Sequence, residues 1–362
     1  MRFLRFIGFL IGIITVSFFL NGCGDSSSDD IPASDTVTIP LGVMNASKNV
    51  VVGSAYDSDY VYFSVFVQKA DSYQESDLEG TWYIKDLWVS TLDHDVTLDQ
   101  SSTTDLIADY GASIDTDGIV SIPMPDASVH AVMGASKDII VVVSDDDDGS
   151  GISITVLVKA GTDYDYATDL VSDRDDYGWY EDGIWVANPL SAFGVTNEKA
   201  LMSFETPDVF TGTWQNPISG DSWDVDTATA TLGAATGIIT ITGQNTEGED
   251  FTGNGILSVG TNVFITADDS DDLGLSVVVK RASSYATANL EGTWYYRGIE
   301  ISLTDSPYSA GIDYGTFTFE NDGSFTGSGF DNDGFTWSES GTAGIDDDGL
   351  VEATLDSGIV LE

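Results

Sequence analysis

The chain has 362 residues, 60 of them acidic and 12 basic, and its formal net charge of −48 disfavours contact with nucleic-acid phosphates and adsorption to anionic lipid headgroups. Acidity spread this evenly reads as a solubility or salt adaptation rather than a binding device. With two histidines, His94 and His130, and one cysteine, the chain has little material for nucleophilic catalysis or a zinc site.

Taken from its first residue, the chain carries Arg2 and Arg5, then an apolar run from Phe6 to Leu20. That run is shorter than the roughly 20 residues a membrane helix needs, so residues 1–22 read as a secretory signal. Leu20, Gly22 and Cys23 resemble the box of bacterial lipoprotein signals. The resemblance implies that Cys23 is lipidated and becomes the mature N-terminus, anchoring the protein in a membrane through its lipid. Gly24 in place of aspartate implies sorting to the outer membrane, and the acids of residues 25–30 resemble surface-export signals. Residues 23–35 lack apolar periodicity and form a flexible acidic tether.

Beyond the tether, one pattern recurs. A unit opens with Asp77, Leu78, Glu79, Gly80, Thr81, Trp82, Tyr83 and again with Asn289, Leu290, Glu291, Gly292, Thr293, Trp294, Tyr295, with a blurred copy at Tyr177, Gly178, Trp179, Tyr180. Units close on a strand ending in lysine followed by a tyrosine: Lys69 and Tyr73, Lys159 and Tyr164, Lys280 and Tyr285. Self-similarity at a period of about 100 residues means stacked copies of one small domain. The boundaries are a C-terminal half unit of three strands at 36–76, full units at 77–168 and 169–288, and an N-terminal half unit of five strands at 289–362. Five and three make eight, so the halves are expected either to close one barrel within the chain or to join head to tail between chains.

The middle unit divides into strand-length segments at 177–185, 199–204, 209–214, 222–231, 237–242, 250–257, 262–267 and 273–280, and helical periodicity is absent. Asp-Gly pairs at the joints, such as Asp182-Gly183 and Asp322-Gly323, suit tight hairpins. The fold class is all-β, tandem antiparallel meander barrels, because closure buries the apolar face and removes edges. A β-sandwich with tryptophan core fillers is the competing architecture. Gly80, Thr81, Trp82 and Gly292, Thr293, Trp294 resemble the first-strand motif of lipocalins and avidin-like barrels. That resemblance implies a basic residue lying over each tryptophan at the closed end: Lys159 over Trp82, Lys280 over Trp179 and, if the ends meet, Lys69 over Trp294. The first full unit is shorter than the others by close to one hairpin, which predicts six strands or a more open barrel.

Hard oxygen ligands make calcium the metal to consider. Asp145, Asp146, Asp147 and Asp148 align with Asp268, Asp269, Asp271 and Asp272 between the seventh and eighth strands of two units, although neither run reproduces an EF-hand loop. Solvated hairpin turns are the alternative. Phe317, Phe319, Phe325, Phe335 and Trp337 alternate so as to line or fill a barrel. No catalytic constellation stands out, and the expected protein is not an enzyme. It is a lipid-anchored outer-membrane or cell-surface protein with a structural, adhesive or binding role, meeting a glycan, another protein or a second copy of itself. A lipocalin-like carrier of a small hydrophobic ligand is the alternative.

Overall fold

The computed structural model describes residues 37–56, 60–90, 95–99, 103–171, 178–187, 195–206, 209–244, 250–268, 272–302, 309–332 and 334–356. The two ends of the chain build one barrel. Strands β1 (Val37–Met44), β2 (Val50–Tyr56) and β3 (Tyr60–Gln68) join β20 (Gly292–Ser302), β21 (Ala310–Phe319), β22 (Ser324–Asp331), β23 (Thr336–Ile345) and β24 (Leu350–Leu355) in a closed antiparallel ring. Two ladders make the seams, β3 on β20 with Tyr295 opposite Val67, and β1 on β24 with Val37 opposite Leu355.

A second closed barrel is continuous in sequence: β12 (Trp179–Ala187), β13 (Val195–Thr206), β14 (Val209–Gln215), β15 (Ser222–Leu232), β16 (Ile238–Gln244), β17 (Asp250–Leu257), β18 (Val263–Asp268) and β19 (Asp272–Lys280). The remaining unit holds β4 (Trp82–Ser90), β5 (Val96–Asp99), β6 (Thr103–Thr104), β7 (Ser113–Ile114), β8 (Ile119–Ser121), β9 (Ala127–Met133), β10 (Ile139–Asp146) and β11 (Gly151–Lys159). Its order is β5-β4-β11-β10-β9-β8-β7, with β6 also on β4, and among the described residues this path does not close.

In the open unit the structure adds a helix where none was expected, α1 (Leu106–Tyr110). Asp105 caps it by accepting from the Ile107 and Ala108 amides, and Gly111 ends it at φ +65°. Five residues are too few for periodicity to reveal. Leu106 drives the turn inward, joining Trp82, Ala112 and Val120 in the interior.

At the base of each unit a buried tryptophan donates from Nε1 to a leucine carbonyl just ahead of the first strand. The pairs are Trp82 to Leu78 at 2.9 Å, Trp179 to Leu170 at 3.0 Å and Trp294 to Leu290 at 2.7 Å. Lys159 Nζ lies 5.4 Å from the Trp82 ring and Lys280 Nζ 5.5 Å from that of Trp179, and they donate to the carbonyls of Asp77 and Asp169. The third pairing corrects the sequence reading. Gln68, not Lys69, stands opposite Trp294 and donates to the Glu291 carbonyl at 3.0 Å, while Lys69 turns away to Asp117 at 2.6 Å. A shift of one residue along a strand moves a side chain to the other face.

Each unit is then fastened to the next by a tyrosine. Tyr73, Tyr164 and Tyr285 accept from the amides of Ala70, Gly161 and Ala282, and donate to the carbonyls of Met133, Leu257 and Met44 in the following unit. Their rings press on Gly118, Gly237 and Gly349, where a β-carbon would meet the ring at 2.5 to 2.7 Å and φ is +69° to +88°. Lys69 with Asp117 and Arg281 with Asp348 add ion pairs at two junctions. Ala160 and Thr236 stand at the corresponding places of the third. Because the end barrel docks on the open unit, the open unit on the middle barrel and the middle barrel on the end barrel, the three form a ring. Tyr164→Phe should cost about 1–3 kcal/mol in chemical denaturation, since it orphans the Gly161 amide and the Leu257 carbonyl together.

Around the middle of the ring the units share one apolar cluster. It contains Val52, Phe63, Val65 and Ile299 of the end barrel, Val141, Val143, Ile154 and Val156 of the open unit, and Ile265, Leu275 and Val277 of the middle barrel. The strands supplying it are buried on both faces over much of their length, as in β10 with its run of Ile and Val at 139–143 and in β11. Strands on the rim, such as β16 and β22, alternate buried and exposed. Charges are set into the seams three residues beyond each base tryptophan. Arg297 donates to the His130 carbonyl at 2.7 Å, Asp182 accepts from the Ser54 amide at 3.0 Å, and Lys85 is likewise buried.

Candidate functional site

The interior of the end barrel is divided into two levels. Its base is packed with Trp294, Phe66, Phe317, Phe319, Phe325, Met44 and Leu355, with Phe319 5.3 Å from Phe325 and Phe66 5.7 Å from Phe317. Residues directly opposite in register share a face, so the inward rows can be followed upward. Tyr296, Gly298 and Glu300 continue the inward face of β20 above Trp294. Gly298 faces Asp313, which faces Asp331. Tyr296 faces Gly315, then Gly329, then Trp337, while Glu339 lies opposite Gly327. Four carboxylates therefore belong to the inward rows of one barrel, Glu339 in the row of Trp294 and Phe317 and Asp331 at a strand end, where it also accepts from the Phe335 amide at 2.8 Å.

Glycines make this arrangement possible. The Trp337 ring lies over Gly315 and Gly329, and Glu300 lies against Gly311; a β-carbon at any of the three would collide with those side chains. Tyr296 meets Trp337 edge-on, with ring centroids 6.2 Å apart, and packs on Phe66 at 5.0 Å.

Asp313, Glu339 and Tyr296 are enclosed by the barrel wall, yet each keeps some accessible surface. That combination marks a hollow rather than a filled interior. Burial, then the charges of Glu300, Asp331 and Glu339, push the Asp313 carboxyl well above the usual carboxylate range. Burial pushes Glu339 up to about 7, and its Oε1 is inaccessible and without a hydrogen-bond partner. The Tyr296 phenol is pushed well above its ordinary value by burial and by Asp313, Glu300 and Glu339.

No lysine or arginine answers these acids from the barrel's own strands. Arg297 is the sole basic residue in the eight strands, and its side chain faces outward to the open unit, where burial lowers it to about 10. The other units also hold inward-facing acids. Asp86 accepts from the Thr155 hydroxyl at 2.5 Å in the open unit, and Glu181 accepts from Trp214 Nε1 at 3.2 Å in the middle barrel.

The residues singled out from sequence fall elsewhere. Cys23 and His94 lie outside the described residues, as do Asp269 and Asp271 and the side chains of Asp268 and Asp272. Asp145 and Asp146 end β10, and Asp146, Asp147 and Asp148 work within the turn. Asp148 accepts from the Ser150 amide at 2.9 Å, Asp146 from the Ser150 hydroxyl at 3.0 Å, and Asp147 from the Ser128 hydroxyl at 3.4 Å. Among the described residues no group of three or more His, Cys, Asp or Glu side chains is placed to hold a metal ion. His130 stacks on Tyr314 at 3.7 Å, and burial followed by the Arg297 charge lowers its pKa. Phe335, expected to face inward, is 52% exposed at the outer rim beside Phe330 at 46%. The acids that do face inward were missed because Glu300, Asp313, Asp331 and Glu339 are four of 60, and only register separates them from the rest.

No protein-family model matches this chain, and no curated protein does. Among solved structures it is similar to a DUF3598-family protein of unknown function from Nostoc punctiforme PCC 73102, at 10% identity and a TM-score of 0.20, over 78% of this chain and 97% of that one. A likeness at that level carries no argument about what either protein does.

Proposed function

We propose that this is an exported, lipid-anchored, non-catalytic binding protein whose ligand enters the end barrel. The observation that carries the reading is the half-filled interior: an aromatic base beneath a hollow lined by acids and two aromatic rings. A polar hollow argues against the carrier of a purely apolar ligand, since covering carboxylates with an apolar molecule carries a desolvation cost. Export and anchoring rest on residues 1–23, with Cys23 as the lipid-bearing residue and the outer membrane as its destination. Among the described residues no helix is long and apolar enough to cross a membrane. Phe330 and Phe335, both exposed near the turn that joins β22 and β23, favour a second reading in which the same protein also adheres to a surface glycan or protein.

One preparation tests both parts. The protein is purified from a Gram-negative host and weighed by native mass spectrometry, and Cys23→Ser is fractionated beside it. The expected result is a diacyl or triacyl mass on Cys23, release of Cys23→Ser to the soluble fraction, and a small molecule retained by the folded chain. Membrane association of Cys23→Ser would overturn the anchor. A chain that never retains a small molecule and shows no thermal shift with a broad ligand panel would overturn the binding role.

A further inference from the structure

The three units of the ring point the same way. At their bases the Ala135 amide donates to the Gln68 carbonyl and the Ala46 amide to the Lys280 carbonyl, while at the opposite end Tyr56 donates to the Pro217 carbonyl. In the end barrel β1 runs from the mouth down to Met44 in the aromatic base, so the chain ahead of Val37 leaves on the mouth side. Residues 24–36 separate Val37 from Cys23, and a coil of that length has an r.m.s. span of about 20 Å. To seat the base on a membrane, the tether would first have to run down the wall, roughly 25 Å for strands of this length tilted as in a barrel. An anchor at Cys23 therefore brings the mouth to the bilayer before any other part of the end barrel.

The surface at that mouth is suited to the contact. Among the described residues of the end barrel, the exposed large apolar side chains are Tyr56, Phe330 and Phe335. All three are aromatic and all stand at the mouth, Tyr56 at the end of β2 and the two phenylalanines at the joint of β22 and β23, and none lies at the base. The other units expose mainly non-aromatic residues, Ile119, Met124, Ile238 and Val259 among them, with Tyr110 on α1 the one further exposed ring among the described residues. Aromatic side chains are enriched where protein meets the headgroup layer of a bilayer. The formal net charge of −48 repels anionic headgroups, which leaves a zwitterionic surface as the one these rings fit. We infer that the mouth of the end barrel is held against the bilayer, with Tyr56, Phe330 and Phe335 seated in the headgroup layer of a zwitterionic surface. The tether keeps mouth and surface at high effective concentration, so weak contacts by three rings suffice. The inference rests on the Cys23 anchor proposed above and turns the hollow of the end barrel toward the membrane. Seating these rings in lipid also withdraws Phe330 and Phe335 from the adhesive role, so the two uses are separable.

The lipidated full chain from the Gram-negative host is reconstituted in phosphatidylcholine vesicles, and its amide hydrogen exchange is read beside that of the soluble Cys23→Ser form. Amides at 330–336 are expected to exchange about 5-fold or more slowly on the vesicles, with those of the base turns at 45–49 and 320–323 unchanged. The Phe330→Ser, Phe335→Ser double variant, altered at two exposed positions, is expected to stay on the vesicles through its lipid and to lose the added protection. Replacing part of the phosphatidylcholine with phosphatidylglycerol is expected to reduce the protection by repulsion. A lipidated, vesicle-bound chain whose mouth exchanges as fast as in solution, or whose base is protected instead, would overturn the docking and leave the anchor intact. Protection unaltered in the double variant would remove these rings from the contact and overturn the inference as well. Protection that grows with phosphatidylglycerol would overturn the zwitterionic surface. A chain that carries no acyl mass and stays off the vesicles would overturn the anchor and the docking with it, a result distinguished by mass and flotation before exchange is measured.

Discussion

A chain that begins at residue 70 will not close its end barrel. Removing β1 to β3 strips the partners from both β20 and β24, leaving two open edges on a five-stranded remnant. It also takes Met44, Val51 and Phe66 out of the barrel interior, and Val52, Phe63 and Val65 out of the central cluster. Burial of each of those side chains stabilises by about 1.5–3 kcal/mol. Tyr285 loses the Met44 carbonyl as well, so the junction with the middle barrel opens. The expected outcome is self-association on size-exclusion chromatography and loss of amide-exchange protection in β20 and β24. A circular permutant is the counterpart. Val37 and Leu355 are register partners, so a short linker can join them, and a new opening between the exposed Asp71 and Ser72 leaves every ladder intact. That permutant should be monomeric and melt within a few degrees of the parent. A monomeric truncated chain with unchanged protection would show that the seams contribute little.

Glu339→Gln should flatten a large part of the pH dependence of stability. The folded-state pKa of Glu339 is raised from 4.5 to about 7 by burial. Below about pH 4.5 the group is protonated folded and unfolded, and it contributes nothing differential. As pH rises to about 7 the unfolded chain releases the proton that the folded chain retains, so stability falls across that window and the full penalty is present above it. From the size of the shift the penalty is roughly 3 kcal/mol at pH 8. Asp313, raised in the same direction, adds a loss of the same sign. The rest of the acidic surface also loses stability with rising pH through self-repulsion, and the difference between parent and variant isolates the buried group. Urea denaturation at pH 5 and pH 8 measures it. Parallel curves for parent and Glu339→Gln at both pH values would mean that the carboxylate is solvated and the hollow is not enclosed.

Much of this architecture could be read along the chain. The repeated Gly-Thr-Trp opening and the closing strand with its tyrosine defined the units, and turn residues every few positions marked the strands of the middle barrel. The complementary halves at the two ends followed from the same repeat, because five strands and three strands make the eight that a barrel of this kind needs. What stayed hidden did so for identifiable reasons. By residue type Lys69 matches Lys159 and Lys280, whereas distance to the following tyrosine assigns that place to Gln68. In the middle unit Leu170 is nine residues from Trp179 instead of the four that separate Leu78 from Trp82, so its opening looked degenerate although the same hydrogen bond forms. A five-residue helix has no detectable period.

The apolar runs at 139–143 in β10, 156–158 in β11 and 277–279 in β19 are visible in the sequence by themselves, and they require burial on both faces. That the second face packs at the centre of a three-unit ring was decided by tertiary structure, since each tyrosine latch and each seam charge joins residues from different units. The acid-lined hollow is of the same kind. Composition supplies 60 acids without distinguishing them, and only pairing between strands far apart in the chain turns Glu300, Asp313, Asp331 and Glu339 inward, because facing in a sheet depends on register and register here is set across seams that join the two ends.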